Sequence, residues 1–121
     1  MILNASSSAA ERIKLGLENF GIYAVCKRAM DMLTNLAALE AGKLHVRVNS
    51  IKSGAVATAS AIGMFGGKDS YEQVMPTFQL GGVAPQSPDE LAQFVLFLAD
   101  NCTGRFFNGS NLLVDGGYSV M

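Results

Sequence analysis

Apolar residues recur at helical spacing along the stretch that begins at Ile22. They follow the i, i+3, i+4, i+7 order of one helix face, at Ile22, Val25, Cys26, Ala29, Leu33, Leu36 and Ala37. Gly42 and Lys43 supply a stop signal. The pattern predicts a helix from Ile22 to about Gly42 that buries this stripe. A second stripe is expected at the edge of the buried face, toward a cleft, and consists of Tyr23, Lys27, Met30 and Thr34.

Three other stretches have the pattern of strands. Residues 1–3 form a short apolar run that leads into a polar turn over residues 4–8. Residues 44–51 alternate apolar and polar side chains, and residues 111–114 form a third, mostly apolar run. Residues 9–21 are interpreted as a loop or irregular segment punctuated by glycines.

A second helix is predicted from Ser87 to about Asp100. Ser87 is a capping residue, Pro88 fits the first turn and Glu90 completes a capping box. The helix is apolar nearly all round, so we expect it to be buried on several sides, by its own sheet and, in an oligomer, also by a partner subunit. Residues 62–84 are rich in glycine and have no clean period, which predicts a mobile region with one or two short helices.

The order strand, helix, strand, helix, strand is typical of an α/β fold with a parallel sheet and right-handed crossovers. The chain has 121 residues, 50% of them hydrophobic, which predicts one globular domain. A net charge of −1 argues against nucleic acid as a main partner. Apolar runs are too short to span a bilayer and no signal peptide is recognised, so we expect a cytoplasmic protein without a membrane partner.

The cysteines and the histidine give no indication of a metal site. Cys26 and Cys102 fit a reducing compartment better than a disulfide framework. Neither belongs to a CxxC motif, and His45 is the only histidine in the sequence. We therefore expect neither a metal site nor a Cys/His nucleophile.

Tyr23 and Lys27 form the pair with the clearest chemical meaning. Four residues make about one helical turn, so the phenol and the ammonium group share a face. A cation within about 4–6 Å favours a phenolate over a phenol, which can make a tyrosine an acid or a base. The spacing by itself also fits a surface turn with a lysine that extends into solvent.

Seven short motifs occur in order along nearly the whole chain. They are Asn4-Ala-Ser-Ser7, Tyr23-Ala-Val-Cys-Lys27, Arg47-Val-Asn49, Gly54-Ala-Val-Ala-Thr58, Pro88-Asp-Glu-Leu-Ala92, Phe97-Leu-Ala99 and Val114-Asp-Gly-Gly117. In this register the chain resembles the C-terminal half of a short-chain dehydrogenase/reductase. The resemblance implies one half of a Rossmann-like doubly wound parallel sheet, with residues 1–121 as a single partial domain and residues 59–84 as a substrate lid.

The same resemblance implies an oxidoreductase that interconverts a carbonyl and a hydroxyl group with NAD or NADP. Tyr23 would act as the general acid or base, and Lys27 would favour its phenolate and bind the nicotinamide ribose. Ser7 would hydrogen-bond the substrate oxygen. A loop that binds the nicotinamide carboxamide would involve Gly54, Val56 and Thr58. A small, fairly hydrophobic carbonyl or alcohol would be the substrate, and the full-length form would be a homo-oligomer.

Three departures from the family pattern leave alternatives open. Ser7 lies 16 residues before Tyr23, slightly more than usual in the family, so Ser8 is a rival. Ser53 stands where the family usually has proline. The glycine-rich nucleotide fingerprint and the Asn-Ala-Gly segment of the family's N-terminal half are not in this sequence. The isolated chain is therefore expected to lack dehydrogenase activity, and a truncated, non-catalytic chain that acts by association with a partner is the alternative.

Overall fold

Three parallel strands form one sheet in a computed structural model that describes residues 1–13 and 18–121. The strands are β1 (Ile2–Ser7), β2 (Val48–Ser53) and β3 (Asn111–Val114), in the spatial order β1-β2-β3. Ser7 is opposite Ser53, and Ser53 is opposite Val114. Because all three strands run the same way, their carboxyl ends meet at one edge. The predicted α/β fold with a parallel sheet is confirmed.

In the described ranges, four α-helices connect and flank the strands. They are α1 (Gly21–Ala41), α2 (Ala59–Met64), α3 (Lys68–Val74) and α4 (Pro88–Ala99). Short 3-10 turns lie at Ser8–Ala10, Glu18–Phe20, Gly42–Leu44, Met75–Phe78, Leu80–Gly82 and Tyr118–Val120. The one or two short helices expected in residues 62–84 correspond to α3 and the end of α2. Part of the loop expected over residues 9–21 lies outside the described residues. None of the helices in the described ranges is long and apolar enough to cross a membrane.

Two strand boundaries differ from the sequence prediction. β1 continues to Ser7 where a polar turn was expected, because α1 supplies partners for its polar side chains. Asn4 Nδ2 donates to Thr34 Oγ1 at 2.9 Å, and the buried Ser6 hydroxyl donates to the Lys27 carbonyl at 3.3 Å. β2 begins four residues later than predicted, after His45 takes a left-handed conformation with φ of 57°.

The orientation of α1 is the reverse of the predicted one. Its buried residues are Ala24, Asp31, Thr34 and Ala38. The apolar stripe faces outward instead, with Ile22 83% exposed and Leu33 62% exposed. Small side chains let α1 lie close to the sheet, and its buried polar groups have partners there, since the Ser50 hydroxyl donates to Asp31 Oδ1 at 3.1 Å. The helical period was predicted correctly, but the choice of buried face was wrong.

Helix α4 begins as predicted and is less buried than predicted. The Glu90 N–H donates to Ser87 Oγ at 3.2 Å, and the Ser87 N–H donates to Glu90 Oε2 at 2.6 Å, which completes the capping box. Leu98 is fully buried, whereas Leu96 is 61% exposed. Among the residues that the structure describes, α4 is therefore not buried on several sides.

The Arg47 side chain ties the carboxyl end of α4 to the start of β2. Its Nη1 donates to the carbonyls of Leu98 and Gly104, both at 2.9 Å, and its Nη2 donates to the Ala99 carbonyl at 3.2 Å. These carbonyls include ones that no helical N–H can satisfy. The planar fork of a guanidinium group reaches several acceptors at once, which a single ammonium group cannot do in the same geometry.

We expect Arg47→Lys to destabilise the protein by about 1–3 kcal/mol, because buried carbonyls lose charged donors. Urea unfolding followed by far-UV circular dichroism measures the change. Arg105→Lys is the matched control at an exposed position, where we expect a change within about 0.5 kcal/mol. Equal stabilities of the Arg47→Lys variant and the wild type would show that the network does not stabilise the fold.

We expect the chain to self-associate through the outward stripe of α1, because large exposed apolar patches mark association surfaces. Light scattering should give a mass above the 12.8 kDa of one chain. Leu33→Glu should lower the associated fraction. Leu44→Glu changes a leucine that is 76% exposed outside α1 and should not. A wild-type chain that stays monomeric at all tested concentrations would contradict this expectation.

Candidate active site

A cavity of about 370 Å³ opens at the carboxyl edge of the sheet. Ser7 at the end of β1 and Ser53 at the end of β2 line it, and Tyr23 from the first turn of α1 joins them. Ligands of open α/β sheets bind in crevices outside the carboxyl ends of the strands. The position of the cavity therefore follows from the parallel topology and makes it the candidate site.

Both candidate serines reach the cavity. Ser7 Oγ accepts a hydrogen bond from the Ala9 N–H at 3.1 Å and caps the short turn Ser8–Ala10. A hydroxyl that accepts through its oxygen still has its own proton to donate. Ser8 is 7% exposed and lines the same wall. Ser7 therefore has a structural role that is compatible with a chemical one, and Ser8 is not excluded by position.

Tyr23 lines the cavity with a side chain that remains 43% exposed. Phe20 contacts it edge to face, with ring centroids 5.9 Å apart and an interplanar angle of 87°. The Lys27 ammonium lies 5.5 Å from the centre of the Tyr23 ring and donates to the Ala5 carbonyl at 2.5 Å. Lys27 is thus adjacent to Tyr23 as the spacing predicts, but its side chain is held against β1 and does not line the cavity.

The loop after β2 brings the other predicted residues to the cavity, since Gly54, Val56 and Thr58 all line it. Thr58 Oγ1 accepts from the Ala61 N–H at 3.1 Å and caps α2. The Val56 carbonyl accepts from the Thr58 N–H at 2.8 Å. Within the described residues, the Val56 N–H donates to no backbone or side-chain acceptor. This N–H is consequently available to a ligand.

The segment that was expected to form a lid covers one side of the cavity with apolar and aromatic side chains. Met64, Phe65, Tyr71, Met75 and Phe78 contribute to this wall. Phe20, Tyr118 and the exposed Arg12 also line the cavity and were not predicted. Neither position has a periodic pattern that would predict a place in the cavity, because Tyr118 follows a glycine turn and Arg12 lies in an irregular segment.

A charged cluster lies beside the serine turn. The Lys52 ammonium forms an ion pair with Glu11 Oε1 and lies 3.9 Å from Asp31 Oδ2. Arg28 Nη1 approaches the same Glu11 oxygen at 3.1 Å. The hydrogen bond from Lys52 lowers the pKa of Glu11 below its usual range, and the charges of Lys52 and Arg28 act in the same direction. Since Glu11 closes the Ser8–Ala10 turn, this cluster holds the turn against β2.

Comparison with known proteins gives the family. Residues 1–119 match a protein-family model described as enoyl-(acyl carrier protein) reductase. The chain is 33% identical over 117 residues to the L-xylulose reductase of Mus musculus, and 35% identical over 119 residues to that of Caenorhabditis elegans. The alignments cover 97% and 98% of this chain but 46% and 45% of those proteins. The chain belongs to the short-chain dehydrogenase/reductase family and spans about half the length of these relatives.

Solved structures agree with this assignment. The apo form of a Caenorhabditis elegans glucose dehydrogenase has a TM-score of 0.76 and 33% identity, over 99% of this chain and 46% of that one. A short-chain dehydrogenase/reductase of unknown function from the same organism, solved with its cofactor, has a TM-score of 0.80 and 31% identity, over 99% of this chain and 45% of that one. The strand and helix order described above is thus part of a Rossmann-type sheet.

The Glu11–Lys52 pair gives a pH prediction. The pKa of Glu11 is lowered in the folded state, so the pair stabilises the fold above the unfolded-state pKa, and this contribution is lost as the pH falls through the folded-state pKa. We expect Glu11→Gln to lower stability at pH 7 by about 1–2 kcal/mol, discounted because a third of the side chain is exposed. The difference from wild type should shrink as the pH falls through the acid range.

Urea unfolding at a series of pH values measures this difference. Glu40→Gln, the same substitution at an exposed position of α1, is the control and should change stability by less than about 0.5 kcal/mol. A wild-type minus Glu11→Gln difference that stays constant from pH 7 down to pH values below the Glu11 pKa would contradict the prediction.

Proposed function

We propose that this chain is the catalytic and substrate-binding half of an NAD(P)-dependent oxidoreductase that interconverts a carbonyl and a hydroxyl group. The observation that carries the proposal is a single cavity shared by Tyr23, Ser7 and the loop Gly54–Thr58. These groups come from α1, from β1 and from the segment after β2, which are far apart in the sequence. Family membership supports oxidoreductase chemistry in general, and the cavity supports this assignment of roles.

In the proposed reaction, Tyr23 transfers a proton to or from the substrate oxygen. Its phenol lies at the cavity surface, where a carbonyl oxygen can approach it. The Ser7 hydroxyl would donate a hydrogen bond to the same oxygen, because its proton stays available while its oxygen accepts from the Ala9 N–H. Two donors on one oxygen stabilise the negative charge that develops there when a hydride reaches the carbonyl carbon. Ser8 is the alternative donor from the same turn.

A nicotinamide nucleotide, when bound, would supply the hydride chemistry. Two features of the chain fit a nicotinamide nucleotide, whether NAD or NADP. The Val56 N–H has no acceptor among the described residues and would donate to the carboxamide oxygen. The Lys27 ammonium has three N–H donors and uses one of them on the Ala5 carbonyl, which leaves donors for ribose hydroxyls.

The walls of the cavity favour a small, fairly hydrophobic alcohol or ketone, and residues 59–84 would act as the substrate lid. Similar proteins include a cyclopentanol dehydrogenase from Comamonas testosteroni, 31% identical over 106 residues. The exposed apolar stripe of α1 supports a homo-oligomer as the complete form. The same stripe also favours the second candidate function, in which the chain binds a partner without catalysing a reaction.

A chimera tests the catalytic assignment. This chain replaces the matching 45% of the Caenorhabditis elegans L-xylulose reductase, and NADH or NADPH oxidation is followed with L-xylulose and with cyclopentanone. We expect Tyr23→Phe to lower kcat by about 10²–10⁴-fold, because the proton donor is removed. Circular dichroism and Tm should be unchanged, since the ring remains.

Tyr118→Phe makes the same change on another wall of the cavity and should keep kcat within a few-fold of wild type. A Tyr23→Phe variant with wild-type kcat would remove Tyr23 from the mechanism. A folded chimera that binds NADPH but turns over neither ketone would support the non-catalytic candidate instead.

A further inference from the structure

Arg12 is the one residue, among those that the structure describes, that lines the cavity and carries a full charge at neutral pH. It lies four residues after Ser8, and its backbone N–H donates to the Ser8 carbonyl at 3.2 Å. The side chain is exposed, so its guanidinium group has room to turn toward a ligand in the cavity. The proposed reaction gives this permanent positive charge no task.

The charge of Arg12 is not compensated by a neighbouring acid in the part of the chain that the structure describes. Its guanidinium group forms no ion pair and no side-chain hydrogen bond with the described residues. The adjacent acid, Glu11, already binds the Lys52 ammonium and the Arg28 guanidinium group. Asp31 Oδ2 lies 3.9 Å from the same ammonium. These two cations and two anions offset one another, which leaves the positive charge of Arg12 for a ligand.

The backbone at Arg12 is anchored beside the candidate serines. Glu11 closes the Ser8–Ala10 turn, and its ion pair with Lys52 ties that turn to β2. The Arg12 side chain therefore extends from a fixed point, on the same turn as the serines that would bind the substrate oxygen. An anionic group at Arg12 and a carbonyl oxygen at Ser7 would consequently belong to one small ligand.

We propose that Arg12 binds a carboxylate group of the substrate. This inference rests on the proposed function and adds the charge of the substrate to it. The substrate is a small, mostly apolar alcohol or ketone with one carboxylate away from the reacting carbon. A guanidinium group presents two parallel N–H donors, which match the two oxygens of a carboxylate. The apolar wall with Met64, Phe65 and Met75 contacts the hydrocarbon part of the same molecule.

A nicotinamide nucleotide also carries anionic groups, its phosphates. The groups proposed to contact the nucleotide, the Val56 N–H and the Lys27 ammonium, belong to the loop after β2 and to α1. Arg12 instead shares a turn with the serines that would bind the substrate. The position of Arg12 therefore favours the substrate as the source of the anion.

Two ketones of nearly equal shape test the proposal by direct binding. At neutral pH, 4-oxocyclohexanecarboxylate is an anion, and 4-oxocyclohexanecarboxamide is its uncharged counterpart. Chemical-shift titration of the 121-residue chain gives both dissociation constants, without cofactor or turnover. We expect Arg12→Gln to reduce the ratio of carboxylate to carboxamide affinity by about 3–5-fold, the upper part of the range for an exposed ion pair.

Arg105→Gln is the matched control, because it removes the same charge from an exposed position outside the described lining of the cavity. This control should leave the affinity ratio unchanged. Equal ratios in wild type and Arg12→Gln would overturn the proposal, as would the same loss in both variants. A wild type that binds neither ketone, or that does not prefer the carboxylate, would overturn it too.

Salt provides a second, independent measurement, because ions screen the attraction between exposed charges. Raising the sodium chloride concentration from about 0.01 M to about 0.5 M should weaken carboxylate binding to the wild type more than carboxylate binding to Arg12→Gln. Carboxamide binding should change little in either protein. Equal salt dependence of carboxylate binding in the two proteins would show that the substitution acts through shape, and would overturn the proposal.

Nicotinamide mononucleotide and nicotinamide riboside differ by one phosphate, so they test the other source of an anion. We expect Arg12→Gln to leave their affinity ratio unchanged. A lower ratio of nucleotide to riboside affinity in Arg12→Gln, with an unchanged ratio for the two ketones, would assign Arg12 to the nucleotide phosphate and overturn the proposal.

None of these measurements depends on catalysis, so the two hypotheses fail separately. An unchanged ketone ratio in Arg12→Gln, together with lost turnover in Tyr23→Phe, would reject the carboxylate site and keep the proposed function. The opposite pair of results would keep the carboxylate site and reject the catalytic assignment.

Discussion

The cavity depends on the close approach of two backbone segments, the loop after β2 at Gly54 and the turn after β3 at Asp115. A Cβ atom on Gly54 would lie 2.7 Å from Asp115 Cα, so a side chain there would push the end of β2 away from the turn after β3. The Asp115 carboxylate is buried and accepts from the Gly117 N–H at 3.0 Å, which fixes this turn. The Leu80 N–H donates to the Gly116 carbonyl at 2.8 Å. The loop after β2, the covering segment and the C-terminal turn therefore meet at one point.

For helix α1, periodicity predicted the bounds of the helix but not its buried face. The 3.6-residue period fixed the helix to within one residue at each end, because it depends only on local geometry. The period cannot say which of two stripes is buried when one is apolar and the other is small and polar. Thr34 and Asp31 are buried because they have partners on β1 and β2, and such contacts between distant residues leave no local pattern. The apolar stripe of α1 is consequently left on the outside of the described structure.

The residues of the candidate site were predicted from the resemblance to the family, and parallel topology explains why most of them line one cavity. Ser7 ends β1, Gly54 follows β2 and Tyr23 lies in the first turn of α1, and parallel topology brings such positions to one edge. Lys27 was correctly expected beside Tyr23, but its bond to the Ala5 carbonyl depends on the spacing between helix and sheet. The burial of Tyr71 could not be predicted from sequence, since the residue lies in an aperiodic segment and its burial is set by the tertiary fold.

The chemistry available to Tyr23 is decided by what covers it. An ammonium and a phenolate 4 Å apart attract by about 1 kcal/mol in bulk water but by about 4 kcal/mol at an effective dielectric constant of 20. Because Tyr23 is 43% exposed, its surroundings in this chain are closer to bulk water. A nucleotide and a substrate in the cavity would displace water from the Tyr23 ring. The effective dielectric constant between Tyr23 and Lys27 would then be lower. Under the proposed function, Lys27 would therefore assist proton transfer at Tyr23 mainly when the cavity is filled, so the proposed acid–base role would be coupled to ligand binding.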